Sequence, residues 1–277
     1  MRQTISRNLW LVTPAALMVG IFFLYPLCFS LYSAVTLDGG QLTFTHLSKA
    51  FELYSKDMLF TIFIVLISVS ILTVLSITIA SLIVLSPFPS LVKILGFLYR
   101  LPLFIPFIVT AQMMRTFLAK NGLMNNAFIE VGMLTPMETI SFLGWIGIII
   151  TFVWKQMAFS TLLISGAMAA LDDAQIRSAR NLGGSRFRIL IEIILPQITP
   201  SIGVAMVLST VTIMSVLSVP LMIGTGSPTM MTADMAFRVN SYGDYHVANA
   251  LGLVSYAICA GLAWFYLRHN LKDKGTI

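Results

Sequence analysis

Six long apolar stretches punctuate this chain and leave few folds open to it. They run near Leu9–Leu37, Met58–Leu85, Ile94–Leu118, Ile140–Met168, Ile198–Ile223 and Val247–Leu267. Each is long enough to cross a hydrocarbon core, which takes about 20 helical residues. Of the 277 residues, 57% are hydrophobic and only 10% charged, too little polar surface to clothe a soluble domain of that size. Backbone polar groups in a bilayer must be satisfied within the structure, so spans of this kind are helical. The expected fold class is all-α: a polytopic membrane protein with six transmembrane helices, forming one transmembrane domain over residues 1–277. The first stretch is longer than the core of a secretion signal and opens a series of similar spans, so it reads as the first membrane helix. Prolines mark ends or kinks, Pro14 and Pro26 in the first span and Pro102 and Pro106 in the third.

The net charge of +6 is distributed unevenly. With the N-terminus inside, the inner segments hold Arg2, Arg7, Lys93, Arg100, Arg177, Arg180, Arg186, Arg188, Arg268, Lys272 and Lys274. The outer segments hold Lys49, Lys56, Lys120 and Arg238. Such a bias predicts both termini in the cytoplasm and explains the charge without nucleic acid. The outer segments His46–Asp57 and Asn121–Glu138 are longer than turns need, and Gly122–Glu130 reads as a short amphipathic helix lying at the outer surface. Cys28 and Cys259 lie in separate apolar runs and read as small buried thiols, with no disulfide or metal spacing. His46, His246 and His269 are scattered outside the spans. No His-Glu-x-x-His pattern and no Gly-Lys-Ser/Thr phosphate loop occurs, so the chain is not expected to be catalytic, to hold a cofactor or metal, or to hydrolyse ATP itself.

One hydrophilic segment is too patterned to be a linker. It joins the fourth and fifth spans, over residues 169–197, and falls on the cytoplasmic side. Asp172 or Asp173 can cap a short helix and complement its dipole. Gly183-Gly184 then supplies a left-handed turn, and Ser185 can cap a second short helix through Glu192, with Pro196 and Pro200 flanking the entry to span five. Ile176, Ala179, Leu182, Phe187 and Leu190 are apolar positions able to fill a groove on a partner. The other reading is an interfacial loop whose arginines lie on lipid headgroups.

Arg177-Ser178-Ala179, three residues, Gly183, nine residues, then Ile193-Ile194-Leu195-Pro196 resembles the motif of permease subunits in bacterial type I ATP-binding-cassette importers. That motif reads Glu-Ala-Ala, three residues, Gly, nine residues, Ile-x-Leu-Pro, and lies between spans four and five of six. Gly122–Asn125, Ile223–Gly226 and Asp244–Leu251 are also similar to parts of those permeases. The local wording is nearest the branch that moves polyamines, ferric iron or phosphonates. The resemblance implies a complex at the inner membrane: two permease chains, identical or sister; two ATPase subunits that bind ATP and Mg; and a periplasmic or lipid-anchored binding protein for the solute. By the same carry-over Ala179 packs on the ATPase, Gly183 makes the turn, and Leu195 and Pro196 fix the return to span five. Asp173, Arg177, Ser178, Gly184 and Phe187 complete the expected docking set.

Arg177 departs from the motif, which has an acid there. Asp173, four residues earlier, can pair with it on one helix face for only about 0.2–0.5 kcal/mol. The expectation is an acidic or neutral partner groove, or a sister permease that carries the usual acid. Within the six spans there is no Asp or Glu, whereas Arg115 and Lys155 lie in or near the membrane, where an unpaired cation is costly. Arg115 can snorkel; Lys155 can line the pathway or meet the second permease. Cations without carboxylates favour an anionic or zwitterionic solute such as an organophosphonate over a polyamine, ferric iron or a sugar. The competing classes are a secondary transporter or channel working without an ATPase, which would carry intramembrane acids or a repeat, and a membrane enzyme.

Overall fold

The computed structural model describes residues 12–37, 39–224 and 226–273, with side chains described as far as Arg268. All regular structure among them is helical. In chain order the elements are α1 (Val12–Ala34), α2 (Thr45–Leu85), α3 (Pro89–Leu98), a 3-10 turn (Leu101–Phe104), α4 (Phe107–Leu118), α5 (Leu123–Glu130) and α6 (Trp145–Ala169). There follow α7 (Asp173–Asn181), α8 (Arg186–Ser215), α9 (Ser218–Ile223), α10 (Met231–Tyr242) and α11 (Tyr245–Asp273). Five helices, α1, α2, α6, α8 and α11, are long and apolar enough to cross a membrane. A bent pair, Pro89–Phe104 and Phe107–Glu130, meets at 110° and makes a sixth if the two halves are one broken span.

Three sequence expectations need correction. The third span is not one helix over Ile94–Leu118. Pro106 forces Ile105 into an extended conformation, φ −99° and ψ 121°, because its ring excludes the helical region for the preceding residue. His46–Asp57 is not a loop but the first turns of α2, which runs for 41 residues. The fifth span begins at Arg186 rather than Ile198, so Pro196 and Pro200 lie inside it. A π-turn over Leu190–Ile194 precedes Pro196, and another over Gly20–Leu24 precedes Pro26 at the same spacing. In each, the backbone N–H ahead of the proline bonds five residues back, a widening that accommodates the missing donor without ending the helix. The predicted outer helix over Gly122–Glu130 is present as α5. Asn125 is buried beneath it and donates to the carbonyls of Ala119 and Ile140 at 3.1 and 2.9 Å.

The chain forms two compact units. The first comprises the chain up to Ser55 with Asp234–Ala257. Here the His46 and His246 rings stack with centroids 4.7 Å apart, and each has a ring nitrogen at a backbone carbonyl, of Thr36 at 3.2 Å and Ser33 at 2.8 Å. Asp244 bonds Lys49 at 3.2 Å and Arg238 at 3.4 Å, and the Arg238 guanidinium lies over the Tyr54 and Tyr242 rings. Partial burial opposes ionisation of Asp244, but the Val247 N–H and the two cations outweigh it and hold the carboxyl below its usual range. The folded value is therefore lower than the unfolded one, about 3.9. This cluster should add stability above pH ~4 and lose it as pH falls through the lowered folded value. Asp244→Asn should flatten that acid limb when unfolding of the detergent-solubilised protein is followed between pH 3 and 6.

The second unit comprises Lys56–Ala233 with the chain from Ile258. Its larger core cluster includes Ile64, Ile148, Phe152, Ile213, Val219 and Met230; a second gathers Ala80, Ile164, Met168, Ile176, Ile189 and Ile198. Helices α6 and α8 also share a buried polar seam, in which Ser209 bonds Gln156 at 3.3 Å and Ser160 at 2.9 Å. Asp57, buried in α2, accepts from the Thr229 N–H at 2.6 Å, and Thr61 accepts from the Met231 N–H at 2.9 Å, tying the start of α10 to α2. Gly147 lets α6 approach its neighbours: a Cβ there would lie 2.6 Å from the Phe142 carbonyl and 2.9 Å from Ile223. Gly147→Ala should cost about 1–3 kcal/mol of stability, read as a lower midpoint in thermal unfolding.

Candidate functional site

The segment between α6 and α8 is built in three steps. Asp172 is the residue that caps α7, its carboxylate accepting from the Ala174 N–H at 2.8 Å, which satisfies a donor left free at the helix start. Gly183 then takes φ +84°, a left-handed conformation that costs glycine nothing. Gly184 donates to the Ala179 carbonyl at 3.0 Å, and a Cβ on Gly184 would sit 2.8 Å from that oxygen, so the second glycine is needed for closeness. Ser185 caps α8, accepting from the Arg188 N–H at 3.3 Å. The second short helix expected after the turn is thus the first part of the fifth span itself.

The two faces of α7 differ sharply. Ile176 is buried in the second core cluster with Ile164 and Met168 of α6 and Ile189, Ile194 and Ile198 of α8, and Ala179 and Leu195 pack half-buried against it. Gln197 of α8 donates to Gln175 at 3.1 Å. Ile176 is therefore a strut of its own bundle and not free to fill a partner's groove. The exposed face carries Ala174, Arg177, Ser178 and Asn181, spaced as i, i+3, i+4 and i+7. Asp173 pairs with Arg177 at 3.9 Å, with side chains 82% and 69% exposed, so the tie is a loose surface contact of little worth. Leu182 and Phe187 stand out at 89% and 71% exposure, on either side of the glycine turn. Pro196 is exposed on α8.

The two membrane cations part company. Arg115 is exposed in the last turn of α4, and among the described residues no acid lies within 4 Å of it. Lys155 turns to the broken span: its Nζ donates to the Pro102 carbonyl at 2.6 Å, lies 3.5 Å from the Leu103 carbonyl and sits 5.3 Å from the centre of the Phe107 ring. The ammonium thus fills the break, where neighbouring backbone cannot supply every donor. These contacts give Lys155, half-buried in α6, a structural role beside the expectation that it lines a pathway or meets a second chain. Nothing in the apolar pattern around Lys155 could announce that partner, which lies about 50 residues earlier; Pro102 and Pro106 were the available signal.

Five or six spanning helices, with a rigid polar element set between two of them, define an integral membrane protein that offers a built surface outside the bilayer. Residues 73–270 match the model of the family described as binding-protein-dependent transport system inner membrane component, and the chain belongs to that family. It is 29% identical over 125 residues to the sulfoquinovosyl glycerol transport system permease protein SmoG of Agrobacterium fabrum, covering 44% of this chain and 41% of that one. It is 26% identical over 186 residues to the spermidine/putrescine transport system permease protein PotB of Haemophilus influenzae, covering 66% and 63%. The chain thus spans less than two thirds of the length of these curated relatives. A chain of a bacterial alginate ABC transporter, solved with an alginate-bound periplasmic protein, superposes with a TM-score of 0.82 at 20% identity, covering 96% of this chain and 95% of that one. At that identity the likeness shows a shared fold.

Lys155→Met removes a charge-assisted donor and leaves the Pro102 carbonyl to the Ile105 N–H at 3.3 Å, a loss of about 1–3 kcal/mol. The expected result is a lower unfolding midpoint together with faster proteolysis at 101–106, both restored in Lys155→Arg.

Proposed function

We propose that this chain is the permease subunit of an ATP-driven importer and that residues 169–197 dock a separate ATPase. The observation that carries this reading is the construction of α7. Its apolar side is fixed to both α6 and α8 through Ile176, so a force applied to its polar side reaches two membrane helices at once. A loop lying passively in water needs neither that anchor nor two glycines closing the turn. Asp173, Arg177 and Ser178 lie on or beside the offered face; Gly183 and Gly184 shape its end; Leu182 and Phe187 project beyond it. Ala179, Leu195 and Pro196 carry the segment into the fifth span. The reading includes both termini in the cytoplasm, one permease domain over 1–277, a second permease chain, two ATPases holding ATP and Mg, a solute-binding protein, and lipid around the exposed first span.

The solute is proposed to be a small hydrophilic organic molecule delivered by the binding protein, with carbohydrate derivatives first and polyamines second. The names of SmoG and PotB support that order. An anionic or zwitterionic solute such as a phosphonate comes third, on the two membrane cations Arg115 and Lys155, the second of which also donates to a backbone carbonyl. The same contact bears on a secondary transporter. A broken span with free carbonyls is how such proteins hold a coupling ion, and here a tethered ammonium stands at those carbonyls.

Reconstituted vesicles containing the chain, its partner ATPase and the binding protein test the reading. Uptake should require ATP and collapse without the binding protein. Uptake driven by an ion gradient and indifferent to ATP would establish the secondary transporter instead.

A further inference from the structure

The outward face of α7 has a chemistry of its own. Ala174, Arg177, Ser178 and Asn181 are small or polar, and all four are exposed. The helix's apolar residue, Ile176, is buried on the opposite side, with Ala179 half-buried beside it. A helix that lies on lipid must present its apolar face to the bilayer, and in α7 that face is already covered by α6 and α8. A partner that covers the outward face is therefore a protein rather than a lipid surface. Its charge follows from Arg177, the one ionisable side chain among those four. Arg177 is held only by Asp173 at 3.9 Å, and both side chains are mostly exposed. A second cation close by, Arg180, is exposed and has no acidic partner within 4 Å among the described residues. Arg188, by contrast, is engaged by Glu192 through both carboxylate oxygens at 2.9 Å. Exposed positive charge of the segment thus lies on α7 at Arg177 and Arg180, and beyond the glycine turn at Arg186, which likewise has no acidic partner within 4 Å among the described residues.

Resting on the importer reading, we infer that the ATPase surface receiving α7 presents a carboxylate to Arg177, beside a shallow apolar recess that takes Leu182. On docking, the Arg177 guanidinium leaves its loose contact with Asp173 and forms a forked pair with the partner's carboxylate, a geometry that arginine favours and lysine cannot copy. Small Ala174 and Ser178 on either side let the partner approach closely enough for that pair to be shielded from water. A permease whose docking helix carries an acid here would be mismatched with this ATPase, because like charges would face each other across the contact. Arg177 therefore acts as a pairing determinant between permease and ATPase.

The test uses the full chain co-expressed with its ATPase and purified through a tag on the permease. Arg177→Glu should retain at least about ten-fold less ATPase than wild type in a low-salt wash, while Arg177→Lys should retain an intermediate amount. Wild-type retention should fall with salt, and that dependence should shrink in Arg177→Ala. A second-site screen for restored uptake in Arg177→Glu should return acid-to-base changes in the ATPase. Equal retention by wild type and Arg177→Glu overturns this inference while leaving the importer reading in place; absence of ATPase from the wild-type preparation overturns both. Loss of binding to anionic vesicles by Arg177→Glu, with ATPase retention unchanged, also overturns the inference and assigns the face to lipid.

Discussion

Hydrocarbon offers no water to a backbone group that has lost its partner, and proline removes one donor from any helix it enters. Much of this molecule is an answer to that deficit. Ahead of Pro26 and Pro196 the helix widens by one π-turn and continues. At Pro102 and Pro106 it cannot, and the span breaks through 110°. There a side chain supplies the donor: the Lys155 ammonium reaches across from α6 to the Pro102 carbonyl. A charge that would be expensive in an apolar span is thereby held against oxygen dipoles and an aromatic face, and two membrane elements are fastened to each other.

The proposed docking element follows the same economy of anchoring. A nine-residue helix is marginal on its own. Helix α7 persists because Asp172 caps it, Gly183 and Gly184 close it, and Ile176 ties it into the core shared by α6 and α8. Stability on one side frees the other side to be polar. A surface that owes nothing to its own fold can be shaped for a partner, which is why Arg177 can depart from the family's acid without any cost visible within this chain.

Much of this was legible in the sequence. Apolar runs of about 20 residues announced the spans, and the arrangement from Arg177 through Gly183 to Ile193 and Pro196 announced the helix and glycine turn between α6 and α8. The Asp173–Arg177 spacing predicted the weak pair that is found. Errors arose where local chemistry admits two outcomes. His46–Asp57 is mixed in polarity and was expected to be a loop, yet nothing in it breaks a helix, and Asp57 and Thr61 give its polar groups partners at Thr229 and Met231. Pro196 and Pro200 looked like an entrance because a proline at a helix start and one tolerated within a span have the same spelling. The side to which Ile176 turns depends on neighbours in α6 and α8, and no local pattern encodes them.

The continuity of α8 has a mechanical meaning. Its first turn belongs to the proposed docking element and its last lies in the larger core, within one continuous helix of 30 residues. Such a helix is about 45 Å long. If it pivots near its middle by about 5°, its two ends travel roughly 2 Å in opposite senses. A short sideways push on the tip, too small to repack the surface where it lands, would be returned at the far end with its direction reversed. A pivot there would make the fifth span a first-order lever, with its fulcrum near the close approach of Gly203 to the ring of Tyr266.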